Sequence, residues 1–213
     1  MKLGINLVGI SHLIHKDRHP VSRTYKSCIE NYFKEVFNPL SKKFDVNVYL
    51  TTYFTEENHN IINSYKPKKA LFLDYKNSHQ IKTYIHSLDL MLNEELDYII
   101  MTRFDISFIP NKIKELDIKL DKFNFLCKED NYWENYNFVN DCFMIFPGKY
   151  LSMYKECCID LINNPPRPGL TDMHGIYKFI HNKIGSDNIN FMTGDTKYVS
   201  NCNAIYELKR EQV

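Results

Sequence analysis

Arg103 and Asp105 are the pair whose types and spacing point first to chemistry. They close the run Asp97-Tyr98-Ile99-Ile100-Met101-Thr102-Arg103-Phe104-Asp105-Ile106-Ser107-Phe108. Side chains two apart on an extended chain point the same way. A cation and a carboxylate on one side suit a phosphate and the metal ion that accompanies it. The alternative is an exposed Arg–Asp pair that only closes a strand.

The run itself must position them. Its apolar stretch, rich in β-branched and aromatic residues, reads as a strand buried on both faces. In an open α/β sheet, ligands collect at the carboxyl ends of such strands. Upstream, Lys2 to Ile10 reads as a first buried strand that ends in Gly9, and Ser11 to Arg23 as a polar loop. Val21 to Leu40 carries Tyr25, Cys28, Ile29, Tyr32, Phe33, Val36 and Phe37 at helical spacing, with Pro39 as its end. Phe44 to Leu50 is a second strand, Glu56 to Tyr65 a weaker helix and Ala70 to Leu73 a third strand. Ser78 can cap the next helix, along which Ile81, Tyr84, Ile85, Leu88, Met91 and Leu92 form one stripe. The order β-α-β-(α)-β-α-β predicts an α/β fold with a mostly parallel sheet flanked by helices.

Beyond the run, Phe123 to Lys128 and Val139 to Phe146 read as strands, the second carrying Asp141. A helix through Tyr150, Leu151, Tyr154 and Leu161 ends before Asn163 to Gly169, whose prolines cannot continue it. Thr171 caps another helix, with Asp172 and His174 in its first turn. Short strands near Ile189 to Thr193 and Lys197 to Ser200 follow, and Ala204 to Val213 is a charged, helix-favouring tail. The expected organisation is one domain over 1–213, with a first half at about 1–108 and a second at about 109–203. A chain that stops in a helical segment can be one domain cut from a longer protein.

The totals bound the function. The chain has 213 residues, 15 Tyr, 14 Phe and a net charge of +1. That length is ample for one substantial core. The charge gives no bulk attraction to nucleic acid or an anionic membrane. Six cysteines lack any CxxC spacing, which disfavours a zinc ribbon. Cys127, Cys142 and Cys157 sit in apolar surroundings as core residues. No apolar run reaches the roughly 20 residues of a membrane helix. There is no signal-peptide pattern and no glycosylation sequon, so a cytoplasmic, reduced setting is expected.

The N-terminal half offers what a nucleotide needs. Gly9 allows close backbone approach, Ser11 and Thr51 supply hydroxyls, and Asp74 supplies a carboxylate acceptor. Arg18 and Arg23 are candidate diphosphate contacts, with ordinary loop cations as the alternative. There is no GxGxxG after the first strand and no GxxxxGK[ST], so a dinucleotide fold or a P-loop is disfavoured.

A strand that ends in a short acidic motif after these elements resembles the GT-A family of nucleotide-sugar glycosyltransferases. In that family a DxD motif at this place binds a divalent metal that holds the sugar-nucleotide diphosphate. Here the motif reads Arg103-Phe104-Asp105, an RxD version. The resemblance implies Asp105 as a ligand to Mn²⁺ or Mg²⁺ and Arg103 as a direct counter-charge to the diphosphate. VNDCFMIFPG, with Asp141, resembles the family's acceptor-side strand. Thr171-Asp172-Met173-His174 lies where many members carry an acidic motif whose last acid is the general base in inverting enzymes. Asp172 matches that acid, and Asp141 is the second candidate. A first-turn Asp that only stabilises its helix is the alternative for Asp172. His174 and Asp195 are weaker candidates for diphosphate or metal. Tyr132, Trp133 and Tyr136 could form an apolar platform for sugar faces. The texture of the chain also resembles glycosyltransferases encoded by large algal viruses of the chlorella-virus type, which implies action in a host cytoplasm.

The expectation is a transferase moving a sugar from a UDP-linked donor to a glycan hydroxyl. The residues leave inverting and retaining chemistry open. Its rivals are a nucleotidyltransferase acting on sugar phosphates, which usually needs a Gly-rich basic loop after the first strand, and a non-catalytic nucleotide- or carbohydrate-binding module.

Overall fold

A computed structural model describes residues 1–13, 21–77, 79–170, 172–198 and 204–212. The chain begins with β1 (Lys2–Val8), β2 (His12–Leu13) and β3 (Val21–Thr24), then α1 (Lys26–Tyr32), a π-helical turn (Phe33–Phe37) and α2 (Asn38–Ser41). There follow β4 (Asp45–Tyr53), α3 (Asn58–Tyr65), β5 (Lys69–Leu73), α4 (Gln80–Asp89), β6 (Tyr98–Arg103) and β7 (Ile106–Phe108). The second half holds β8 (Phe123–Phe125), β9 (Lys128–Glu129), α5 (Trp133–Tyr136), β10 (Phe143–Pro147), α6 (Leu151–Asn163) and α7 (Tyr177–Ile184). It closes with β11 (Ile189–Phe191), β12 (Lys197–Tyr198), β13 (Tyr206–Leu208) and β14 (Arg210–Gln212).

Seven strands make one sheet in the order β11-β8-β10-β6-β1-β4-β5. β6, β1, β4 and β5 are parallel, while β10 runs antiparallel to both β6 and β8. The α/β architecture with a mostly parallel central sheet is therefore as expected. Alternation along the strands divides the core in two. Leu3, Ile5, Leu7, Val48, Leu50 and Ile100 face one layer, with Tyr25 just before α1, Tyr32 of α1, and Ile61 and Tyr65 of α3. Tyr49, Ile99, Met101, Met144 and Phe146 face the other, with Ile81, Tyr84 and Leu88 of α4, Tyr154 and Cys157 of α6, and Ile180 of α7. Covering both faces makes these strands apolar throughout, which is why they are legible as strands. Among the described residues no helix is long and apolar enough to cross a membrane.

Three expectations need correction. The segment from Val21 to Leu40 is not helical from its start, because Val21–Thr24 pairs with His12–Leu13 and with Arg210–Gln212. The same pairings give strand to both ends of the expected loop, Ser11 to Arg23. Pro39 does not end the helix but sits inside its last turn, behind a π turn in which the Asn38 N–H reaches Phe33 O. Proline removes a donor and crowds the carbonyl four residues back, and a wider turn before it relieves that contact. The tail is strand rather than helix. Tyr206–Leu208 pairs antiparallel with Ile106–Phe108, which buries Tyr206 fully. Burial of Ile205 and Tyr206 outweighs the local helix preference of Glu, Lys and Arg.

Candidate functional site

Strand order reverses between β1 and β6: the chain goes from β1 out to β4 and β5, then returns to lie on the other side of β1. Val8 is paired with Arg103 in that register, so the ends of β1 and β6 open side by side. A crevice at such a reversal is where open α/β sheets take ligands. Gly9 turns the chain there at φ +106°, a backbone that other residues rarely adopt, and its N–H donates to Thr51 O.

Arg103 and Asp105 are bonded to one another. Arg103 Nε donates to Asp105 Oδ1 at 2.9 Å and Nη2 donates to Oδ2 at 2.7 Å. The carboxylate is buried, 2% exposed, and the guanidinium side chain is 16% exposed. This is the bidentate fork that arginine favours. Arg103 Nη1 also lies 3.9 Å from Asp141 Oδ1.

Asp141 lies two residues before β10, outside the strand expected from Val139, and β10 pairs with β6. Gln80, at the first turn of α4, donates to Asp141 Oδ2, Cys142 Sγ donates to Oδ1, and Tyr84 OH donates to the Asp141 carbonyl. Burial pushes the Asp141 carboxyl up, but His174, Arg103, Gln80 and Cys142 outweigh it and hold it below the usual aspartate value. His174 reaches across the same space. Its Nδ1 lies 2.7 Å from Glu129 Oε1 and 3.1 Å from Val139 O, and its Nε2 lies 4.0 Å from Asp141 Oδ1. Burial alone would lower the His174 pKa, yet Asp141, then Glu129 and Asp172, raise it to about 10. The half-buried imidazole is therefore held as a cation at neutral pH.

Asp172 precedes the short turn His174–Ile176 that leads into α7, and its Oδ1 accepts the His174 backbone N–H at 3.2 Å. It lies before the helix rather than in its first turn. Its pKa is raised by burial, offset in part by His174. Arg103, Asp105, Asp141, His174 and Glu129 thus form a chain of charge contacts, with Asp172 within electrostatic reach of His174 and Asp141.

The other expected residues fall as follows. Ser11 is buried, and its Oγ accepts from Thr52 Oγ1 at 2.7 Å. Thr51 lies inside β4 with its side chain fully buried. Asp74 is exposed just beyond β5 and accepts the Lys76 N–H. Asp195 pairs with Lys128 at the surface. Trp133 packs on Tyr177 and Phe191, Tyr132 on Phe138, and Tyr136 on Phe138. Arg18, Ser78, Thr171 and Cys202 lie outside the described residues, and the Arg23 side chain likewise. Sequence reasoning missed Gln80 and Glu129. Neither has a spacing signal, since their partners are 61 and 45 positions away.

A hard divalent cation needs open carboxylate oxygens. Both oxygens of Asp105 accept from Arg103, and those of Asp141 accept from Gln80 and Cys142. Among the described residues no group of three or more His, Cys, Asp or Glu side chains is placed to hold a metal. The donor set in this arrangement does not fit a bound cation.

Stability should depend on the His174 cation. A histidine whose pKa rises on folding contributes stability that is fully present below its ordinary value of 6.5 and lost as pH climbs through about 10. Denaturant unfolding between those limits should show a decline that is shallower in His174→Gln. Equal slopes in the two proteins would mean that the imidazole is neutral when folded.

No protein-family model matches the chain, and no curated protein does. Solved structures do. A Drosophila β-1,4-galactosyltransferase 7 mutant, crystallised with manganese, UDP-Gal and xylobiose, aligns over 97% of this chain and 70% of its own at 8% identity and TM-score 0.47. A nucleotidyl transferase from Methanothermobacter thermautotrophicus aligns over 86% and 82% at 11% identity and TM-score 0.48. At such identities and scores neither neighbour fixes the chemistry of this chain.

Proposed function

We propose that the chain is a GT-A-type glycosyltransferase that moves a sugar from a UDP-linked donor to a glycan hydroxyl. The observation that supports it is the meeting of Arg103, Asp105, Asp141 and His174 at the strand-order reversal, with Asp172 beside them. The donor lies across the ends of β1 and β6, in the half up to about residue 108, with the diphosphate facing Arg103. The acceptor enters from the half that carries Asp141 and Asp172.

The acceptor oxygen attacks the anomeric carbon while Asp172 takes its proton. The bond from that carbon to the diphosphate oxygen breaks, and the diphosphate leaves with the bonding pair. Arg103 faces the charge that develops on it. Asp105 does not act on substrate; its carboxylate holds the guanidinium flat and fixed for this task.

Calorimetric titration of UDP, once with a chelator and once with Mn²⁺, tests the reading. UDP binding, with slow hydrolysis of one UDP-sugar from a panel, is the expected result. No UDP binding under either condition would overturn it.

A further inference from the structure

A cavity on the acceptor half is lined by none of the residues of the charged cluster. It has a volume of about 430 Å³ and lies between α5 with its exit residue Asn137, Pro166 and one face of α7. That size falls within the roughly 300–1,000 Å³ of small-ligand sites. Tyr177 and His181 line it one turn apart, their rings stacked at 5.5 Å, and Lys178 and Asn182 repeat the spacing beside them. Across from them stand three consecutive residues, Asn135, Tyr136 and Asn137. The left-handed backbone of Asn137 (φ +53°) ends α5 there, so the chain turns inward at once toward buried Phe138 and Val139.

The lining chemistry is specific in kind. Three primary amides each offer two donors and an acceptor. Among the described residues the side chains of Asn135, Asn137 and Asn182 make no hydrogen bond within the protein. Two tyrosines add ring surface and hydroxyls. The only formal charge is Lys178, and no carboxylate lines the cavity. An anionic ligand would want several cations, and an apolar one would want fewer amides. A neutral polyol with an apolar C–H face wants this mixture.

The cavity is also joined to the charged cluster through the backbone. Pro166 packs on Gly175 so closely that a Cβ there would lie 2.6 Å from its ring. Gly175 follows His174, whose carbonyl accepts the Val139 N–H at 3.0 Å. The α7 wall therefore continues back into the segment that carries His174 and Asp172, and the α5 wall leads on to Val139, which is bonded to His174.

We infer that this cavity is a carbohydrate subsite that holds an inner unit of the acceptor glycan while its terminal hydroxyl reaches Asp172. The word acceptor rests on the transferase reading, whereas carbohydrate binding does not. Xylobiose, cellobiose, lactose and chitobiose, each added to amide-labelled protein, are the probes. At least one should move the side-chain NH₂ resonances of Asn135, Asn137 and Asn182. Its affinity should fall about tenfold in Tyr136→Ala and several-fold in Asn182→Ala. Asn182 is exposed on α7, so that variant keeps the test alive if Tyr136→Ala fails to fold. UDP affinity should be unchanged in both. UDP binding with no disaccharide touching these amides overturns the subsite and leaves the transferase reading standing. Disaccharide binding without UDP binding keeps the subsite and overturns the transferase reading. Shifts caused equally by a neutral peptide of similar size would overturn the assignment to carbohydrate.

Discussion

Arg103→Ala should lower stability by about 3–5 kcal/mol and remove most of the affinity for UDP. The first effect comes from Asp105. Its carboxylate is 2% exposed and takes a hydrogen bond on each oxygen from one guanidinium. Alanine takes both of those hydrogen bonds from a buried carboxylate, which costs more than the pair itself contributes. The second effect comes from the guanidinium N–H groups that Asp105 does not use, at a place where a diphosphate would need a counter-charge. The two effects separate in Arg103→Met with Asp105→Leu. Replacing both members of a buried pair by apolar groups of similar volume is often neutral. Urea unfolding should therefore show the double variant recovering most of the lost stability. Calorimetry should show UDP affinity still lost and uridine affinity much less affected. A double variant that binds UDP like the parent would make the pair purely structural.

The parallel half of the sheet was legible because its strands are covered on both faces. Lys2–Val8 and Tyr98–Arg103 are runs of mostly apolar residues bounded by turns, and covering both faces of the sheet is what such short runs suit. The C-terminal tail was not legible, because its two strands are made by distant partners, Ile106–Phe108 for the first and Val21–Arg23 for the second. Nothing local in Glu207 to Gln212 marks them, and the burial of Ile205 and of Tyr206 beside Phe108 sets the first. The site divides in the same way. The spacing of Arg103 and Asp105 predicts one side of an extended chain, whereas Phe104 and Asp105 form the turn between β6 and β7, and that turn brings the carboxylate back to the guanidinium. The spacing did not show that each would be the other's ligand, and this changes the charge balance of the site. Asp141 and Asp172 were visible as acids at element starts. Their differing environments are set by Gln80, Glu129 and His174, which approach through space.

Those environments distinguish the two candidate bases. Asp141 is 1% exposed, its oxygens accept from Gln80 and Cys142, and its pKa is held down. A carboxylate so stabilised is a weak proton acceptor. Asp172 is partly exposed, and among the described residues only the His174 N–H bonds its carboxylate. Burial raises its pKa, which brings it nearer the working pH of a general base. Asp172→Asn should therefore lower turnover by about 10²–10⁴-fold, with donor KM nearly unchanged and stability close to the parent's. Asp141→Asn should act chiefly on stability, because it removes the anion between Arg103 and the His174 cation. The acidic limb of the pH–rate profile should follow Asp172 and lie above the ordinary aspartate value of 3.8. Steady-state kinetics beside thermal unfolding of each variant reads both effects. If Asp172→Asn keeps parental turnover while a folded Asp141→Asn loses it, the base is Asp141, and the His174 cation then holds that base ionised through the 4.0 Å contact.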